Sequence, residues 1–144
     1  MLERQHFTFS HPLRVRWAEC DAQGIVFNVN YFLYFDVAMT EWLRAIGVSP
    51  TNTVEFFTVR AEADYRASAK FDDEIDIAVR CARLGEKSMT LELAIFRGDE
   101  LLTEGALTYV HADRETRKPS PIPNDFIDRV LAFERSAPER KARS

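Results

Sequence analysis

The chain has 144 residues, 46% of them hydrophobic and 29% charged, with a formal net charge of -4. That composition belongs to a globular protein with one buried core and not to a disordered chain. No run approaches the roughly 20 apolar residues of a membrane helix, and the acid excess runs against the basic stripe a nucleic-acid binder needs.

Met1 to His6 carries charges with no apolar stretch behind it. It does not read as a secretory signal, so the cytoplasm is the expected compartment. Cys20 and Cys81 make no disulfide framework and lack zinc-ligand spacing, and His6, His11 and His111 are scattered. Reduced thiols and no metal site are expected.

In chain order, Leu13, Val15 and Trp17 alternate with Arg14 and Arg16, the pattern of a strand with one buried face. Asp21-Ala22-Gln23-Gly24 reads as the turn that ends it. Asn28 and Asn30 then offer helix caps, and Tyr31 to Ile46 runs without Gly or Pro until Gly47. Asp36, Thr40 and Arg44 make one polar stripe on that helix, and apolar residues fill most of the remaining circumference, which predicts burial on several sides. The period then returns to two through Val59, Ala61, Ala63 and Tyr65, through Ile75 to Cys81, through Met89 to Ile95, and on into Leu101 to Ala112. Turns around Leu84 to Lys87 and Arg97 to Glu100 are short, and short turns require antiparallel neighbours. Pro119, Pro121 and Pro123 break the pattern before a last helix, capped by Asn124 or Asp125 and apolar at Phe126, Ile127, Val130 and Leu131. From Ser136 a polar, frayed tail is expected. The sum is one α+β domain over residues 1–144: a curved antiparallel sheet wrapped around one long central helix, plus a short C-terminal helix.

Asp21 stands at a strand end, just before a tight turn at Gly24 and the start of the most buried helix. Free N–H groups at a helix start favour an oxygen that gains negative charge, and a neighbouring carboxylate attacks or activates water, a pairing suited to acyl transfer. Out of context, Asp-x-x-Gly is turn chemistry. Glu19 is either a structural hydrogen-bonding residue or an aid to Asp21, and Asn28 and Asn30 are either caps or substrate contacts. Cys20 has no histidine nearby in sequence to activate it as a nucleophile.

The stretch from Arg14 to Tyr31, RVRWAECDAQGIVFNVNY, resembles the N-terminal motif of the 4-hydroxybenzoyl-CoA thioesterase family, of the hotdog fold. The resemblance continues through Tyr65-Arg66-Ala67-Ser68-Ala69-Lys70-Phe71-Asp72-Asp73 and the strands that follow. It implies an acyl-CoA thioesterase that needs no metal or cofactor, coenzyme A being part of the substrate, and that assembles as a homodimer or homotetramer. Asp21 takes the place of the family's catalytic aspartate, as nucleophile or general base. Gly24, Ile25, Asn28 and Tyr31 are then expected around the thioester carbonyl, which points at the helix start and the N–H of Asn28. Seven residues past the aspartate, related bacterial enzymes often carry His or Tyr; Asn28 hydrogen-bonds but exchanges no proton near neutral pH.

Coenzyme A is a polyanion, so its site must be locally basic. Lys87 and Ser88 match a position where similar enzymes hold its phosphates, with Arg83, Arg60 and Arg97 as further candidates. Solvated hairpin charges are the plain alternative for Lys87 and Arg83. Phe27, Phe56 and Phe57 would suit an aromatic or a fatty acyl group. The alternative to an enzyme is a noncatalytic acyl-CoA-binding or scaffolding module; a hydratase would carry a His-containing hydration signature, and no such pattern is present.

Overall fold

The two-residue alternation becomes one sheet. In the computed structural model, which describes residues 2–49 and 55–140, the long strands are β1 (Phe9–Arg14), β2 (Phe56–Tyr65), β3 (Glu74–Leu84), β4 (Ser88–Arg97) and β5 (Glu100–His111). Their order is β1-β3-β4-β5-β2, each pair antiparallel. The helices are α1 (Asn30–Ala45) and α2 (Asn124–Phe133).

Strand register explains where α1 sits. Rows such as Ile77, Ile95 and Thr103, or Cys81, Leu91 and Leu107, cross the inner face. Tyr34, Phe35, Ala38 and Trp42 of α1 belong to the same wholly buried core, so helix and sheet remove each other's apolar side from water. The close approach depends on Gly105: a Cβ there would stand 2.7 Å from both Phe35 Cε2 and the Glu62 carbonyl oxygen. Any larger residue would push the helix off the sheet or β2 off β5. On the outer face, Phe7 packs with Ala78, Ala94 and Phe96, so the N-terminal segment covers part of the sheet.

Several local features differ from the sequence expectation. β1 stops at Arg14; Val15 is still buried, but Trp17 enters a short 3-10 turn, Trp17–Glu19, and is 63% exposed. Glu19 takes the buried place instead, because its carboxylate finds donors inside. Neither Asn28 nor Asn30 caps α1: Val29 occupies the N-cap position, with no side-chain cap bond. α1 buries Tyr31, Tyr34, Phe35, Ala38, Trp42 and Leu43 but leaves Leu33 48% exposed, and the edge strand β2 leaves Val59 60% exposed at a bulge between Thr58 and Arg60. Within the tail expected to fray from Ser136, Glu139–Arg140 forms a two-residue strand β6 parallel to the end of β3, and residues 141–144 lie outside the described residues. Among the described residues, no helix is long and apolar enough to cross a membrane.

Candidate active site

Residues 19–27 fold into a small hairpin between β1 and α1. Phe27 N–H donates to the Glu19 carbonyl (3.0 Å), Asp21 N–H to Ile25 O (2.9 Å) and Gly24 N–H to Asp21 O (3.0 Å). Gly24 has φ +78°, a left-handed conformation that an L side chain adopts only with strain. The hairpin is stitched to the segment after β2: Val26 N–H donates to Ala69 O (2.9 Å) and Phe71 N–H to Gly24 O (2.9 Å).

Between these segments and the start of α1 lies a cleft of about 380 Å³. Asp21, Ile25, Val26 and Phe27 form one wall, Asn28 and Tyr31 the helix end, and Tyr65 to Ser68 the opposite wall. Asp21 is half-buried, and its Oδ1 accepts the Gln23 N–H at 2.8 Å. The turn entering α1 consumes the N–H groups of Asn30, Tyr31 and Phe32 on the carbonyls of Phe27, Asn28 and Val29. Among the described residues, the N–H groups of Asn28 and Val29 have no acceptor. A carboxylate at Asp21 and a free backbone donor at Asn28 on one cleft suit acyl transfer, which needs a donor for the oxygen that gains charge and a base or nucleophile beside the carbonyl carbon.

The surrounding side chains set the frame. Tyr31 is buried; its hydroxyl accepts the Ala69 N–H (3.0 Å), and burial raises its pKa above the usual phenol value. Glu19 is only 6% exposed. Burial pushes its pKa up, but hydrogen bonds from the Arg16 side chain, the Arg16 N–H and the Tyr34 hydroxyl outweigh that, and the net shift is downward. Burial and this same carboxylate drive the Tyr34 hydroxyl upward.

Of the residues expected around the thioester, Asp21, Ile25, Asn28 and Tyr31 line one cleft, whereas Gly24 lies outside the lining and shapes the turn. The basic candidates are elsewhere. Arg60 projects from the outer face of β2 and pairs with Glu62 (3.1 Å). Arg83 is the penultimate residue of β3; Lys87 closes the β3–β4 turn and Ser88 opens β4. Ser88 and Phe57 both pair with Val110, while Tyr65 pairs with Thr103, so this turn is at the far end of the sheet, roughly 24 Å along β5 at about 3.4 Å per residue. Arg97 is nearer, holding Ser68 O (3.2 Å) and Asp73 (2.7 Å) behind the cleft wall. Of the three phenylalanines considered for the acyl group only Phe27 lines the cleft; Phe56 packs on Tyr109 and Phe126, and Phe57 lies under Arg117. Tyr65 was not singled out for the site, although its strand parity already turned it inward.

Two other concavities lack this pairing. A groove of about 470 Å³ beside β1 is lined by Arg4, Arg14, Glu74 and Asp76, which neutralise one another in ion pairs. One of about 350 Å³ on the outer face presents Glu62, Asp64, Glu92 and Glu104, charges that repel a polyanion. Among the described residues, no group of three or more His, Cys, Asp or Glu is placed to hold a metal ion.

Residues 15–130 match the family model described as the thioesterase-like superfamily. The chain is 27% identical over 122 residues to the acyl-CoA thioesterase YbgC of Haemophilus influenzae, a match spanning 81% of this chain and 90% of that protein. Among solved structures, the PA5185 protein of Pseudomonas aeruginosa superposes with a TM-score of 0.84 at 31% identity, covering 94% of this chain and 97% of that one. A thioesterase of Thermus thermophilus complexed with coenzyme A and Zn superposes with a TM-score of 0.83 at 25% identity, covering 90% of this chain and 96% of that one.

Proposed function

The chain belongs to the thioesterase-like superfamily, and from this premise we propose that it is a hotdog-fold enzyme hydrolysing acyl-coenzyme A to free acid and coenzyme A, with Asp21 as the catalytic carboxylate. The observation that carries this reading is the cleft lined by Asp21 and Asn28, with the N–H of Asn28, and that of Val29 next to it in the chain, unpaired among the described residues. The thioester oxygen lies on those donors, at the positive end of α1, and gains charge there. With Oδ1 held by Gln23, the second Asp21 oxygen takes a proton from water or attacks the carbonyl carbon itself. In the first route water oxygen bonds to the carbonyl carbon, the C–S bond breaks, and the departing thiolate takes up the proton that Asp21 removed. In the second an Asp21–acyl anhydride forms as the C–S bond breaks, and water then adds to it, breaking one anhydride C–O bond to free the acid and Asp21 while its proton goes to the thiolate. No cofactor enters this balance. Free thiols at Cys20 and Cys81 and a coenzyme A substrate fit a cytoplasmic setting.

The same reading requires a second copy. β2 is a sheet edge with Val59 exposed, Val29 and Leu33 are exposed at and after the start of α1, and such an edge calls for a partner. Pairing β2 with β2 of another chain about a two-fold axis reverses direction. The Phe57 end of the partner's strand then lies beside Tyr65, and Lys87 and Ser88 of the partner subunit come to the Asp21 end of the sheet. Arg83 travels with them and Arg60 lies on the joined strand. In this homodimer, or a tetramer built from it, coenzyme A phosphates are held across the seam by the residues that one chain alone keeps apart.

A panel of short, long and aromatic acyl-CoAs, assayed for thiol release, tests the activity. Asp21→Asn should lower kcat by about 10²–10⁴ while thioester binding persists. Binding without thiol release by the unaltered protein would leave the noncatalytic acyl-CoA module. Undiminished turnover in Asp21→Asn would remove the aspartate from the mechanism.

A further inference from the structure

The most heavily bonded polar group near the cleft does not line it. Glu19 accepts four hydrogen bonds on its carboxylate: Oε1 from Arg16 N–H (2.9 Å) and the Tyr34 hydroxyl (2.9 Å), Oε2 from Arg16 Nε (2.7 Å) and from Arg16 Nη2. Its carbonyl accepts two more, from Phe27 N–H (3.0 Å) and from Asn30 Nδ2 (2.8 Å). Every lone-pair direction of a buried carboxylate is occupied, an arrangement that is rigid because losing any one donor leaves a costly unpaired group.

These partners lie on three separate parts of the chain. Arg16 belongs to the exit of β1, Phe27 to the returning arm of the hairpin, and Asn30 and Tyr34 to the first turns of α1. Two residues beyond Glu19 stands Asp21; one and two residues beyond Phe27 stand the free N–H groups of Asn28 and Val29. Building on the function proposed above, we propose that Glu19 is a positioning residue, which sets the gap between the Asp21 carboxylate and the carbonyl-binding N–H groups by clamping the hairpin to α1 through Tyr34 and Asn30. It touches no substrate. Its effect on rate arises because a displacement of even about 1 Å from reacting geometry costs about 10²-fold.

A clamp of this kind predicts coupling as well as loss. Tyr34→Phe removes one hydroxyl and keeps the ring in the core; kcat should fall about 3- to 10-fold with KM little changed and the melting curve still cooperative. Glu19→Gln, which cannot take the charge-assisted bonds from Arg16, should lower kcat further, and Glu19→Ala further still. Combining Tyr34→Phe with Asp21→Asn decides the role: with the acid removed, its placement no longer matters, so the second substitution should add almost nothing to the residual loss, measured at high enzyme concentration. Equal fold-losses for Tyr34→Phe in both backgrounds would mean general structural damage and overturn the proposal. So would undiminished kcat in both Tyr34→Phe and Glu19→Gln while Asp21→Asn is crippled, an outcome that spares the catalytic aspartate. Full activity of Asp21→Asn would instead strike the underlying function.

Discussion

Tyr65 donates its hydroxyl to the carbonyl oxygen of Asn28 at 3.2 Å, so the last residue of an edge strand fixes a peptide group at the mouth of α1. A peptide is planar and trans, with C=O and N–H pointing opposite ways. Holding Asn28 O therefore also aims the N–H of Val29, one of the two free donors. Tyr65 does this while its ring packs on Tyr31, at 5.2 Å between centroids.

Tyr65→Phe keeps the ring and deletes the hydroxyl. The turn retains its bond from Tyr31 N–H to Asn28 O (3.2 Å), so the fold should hold. Loss of one partly exposed hydrogen bond is worth about 0.5–1.5 kcal/mol, and kcat/KM for acyl-CoA should fall about 2- to 12-fold. A steady-state comparison with Tyr65→Leu, which also removes the aromatic wall, separates donor aiming from acyl packing: Leu should raise KM as well.

Asn28 offers a direct test of the carbonyl donors. Asn30 N–H donates to Phe27 O (2.8 Å), closing a turn in which Asn28 holds the second position, where proline is favoured. Asn28→Pro should therefore fold normally while lacking one N–H of the proposed carbonyl site. Removing an oxyanion donor costs about 10²–10³ in kcat, and that loss is expected here, whereas Asn28→Ala, which keeps the N–H, should stay within a few fold. Similar rates for the two variants would place the carbonyl elsewhere.

The elements that local pattern controls were legible from sequence: the strands through Ile75, Met89 and Leu107, the helix ending before Gly47, and the junction of Asp21 with the helix start. What escaped were features decided by partners distant in sequence. Trp17 has inward parity, yet it swings out because Glu19 finds Arg16 and Tyr34. Asn30 has cap chemistry, yet its amide is drawn to the Glu19 carbonyl. Lys87 and Ser88 were linked to the site by resemblance, and only strand register reveals that one chain holds them at the opposite end from Asp21. Neither alternation nor motif spacing encodes such register.

The edge strand supplies a prediction about assembly. Val59 stands at the bulge of β2, and Leu33 is an exposed apolar residue of α1. If the two-fold seam runs along β2, Val59→Lys and Leu33→Glu should each shift the protein toward monomer in sedimentation velocity and lower thioesterase activity, because Lys87 and Ser88 of the partner subunit leave the site. Both positions are solvent-facing in one chain, so monomer stability should change by no more than about 0.5 kcal/mol. Retained dimer with both substitutions would exclude this seam.

Glu134 gives a pH dependence that is separable from catalysis. It follows α2, and its Oε2 accepts the Cys81 N–H (2.7 Å), while Oε1 and Trp42 Nε1 are buried without completing a hydrogen bond. Burial raises its pKa above the ordinary carboxylate value, against smaller opposing effects from the Cys81 N–H, the Trp42 side chain and Arg80. The folded state thus prefers the protonated acid: this stabilising contribution is complete below the unfolded pKa and is lost as pH rises through the raised folded value. Glu134→Gln keeps an acceptor for Cys81 and carries no charge, so it should melt at higher temperature than the parent at about pH 7–8. Below about pH 4, near the ordinary glutamate value, the difference should vanish. Thermal melts of the two proteins across pH isolate this group from Glu19 and Glu104, whose lowered pKa values act in the opposite direction and are common to both. A variant that melts lower at the alkaline end of that range would show that the charged form of Glu134 supports the docking of α2 on β3.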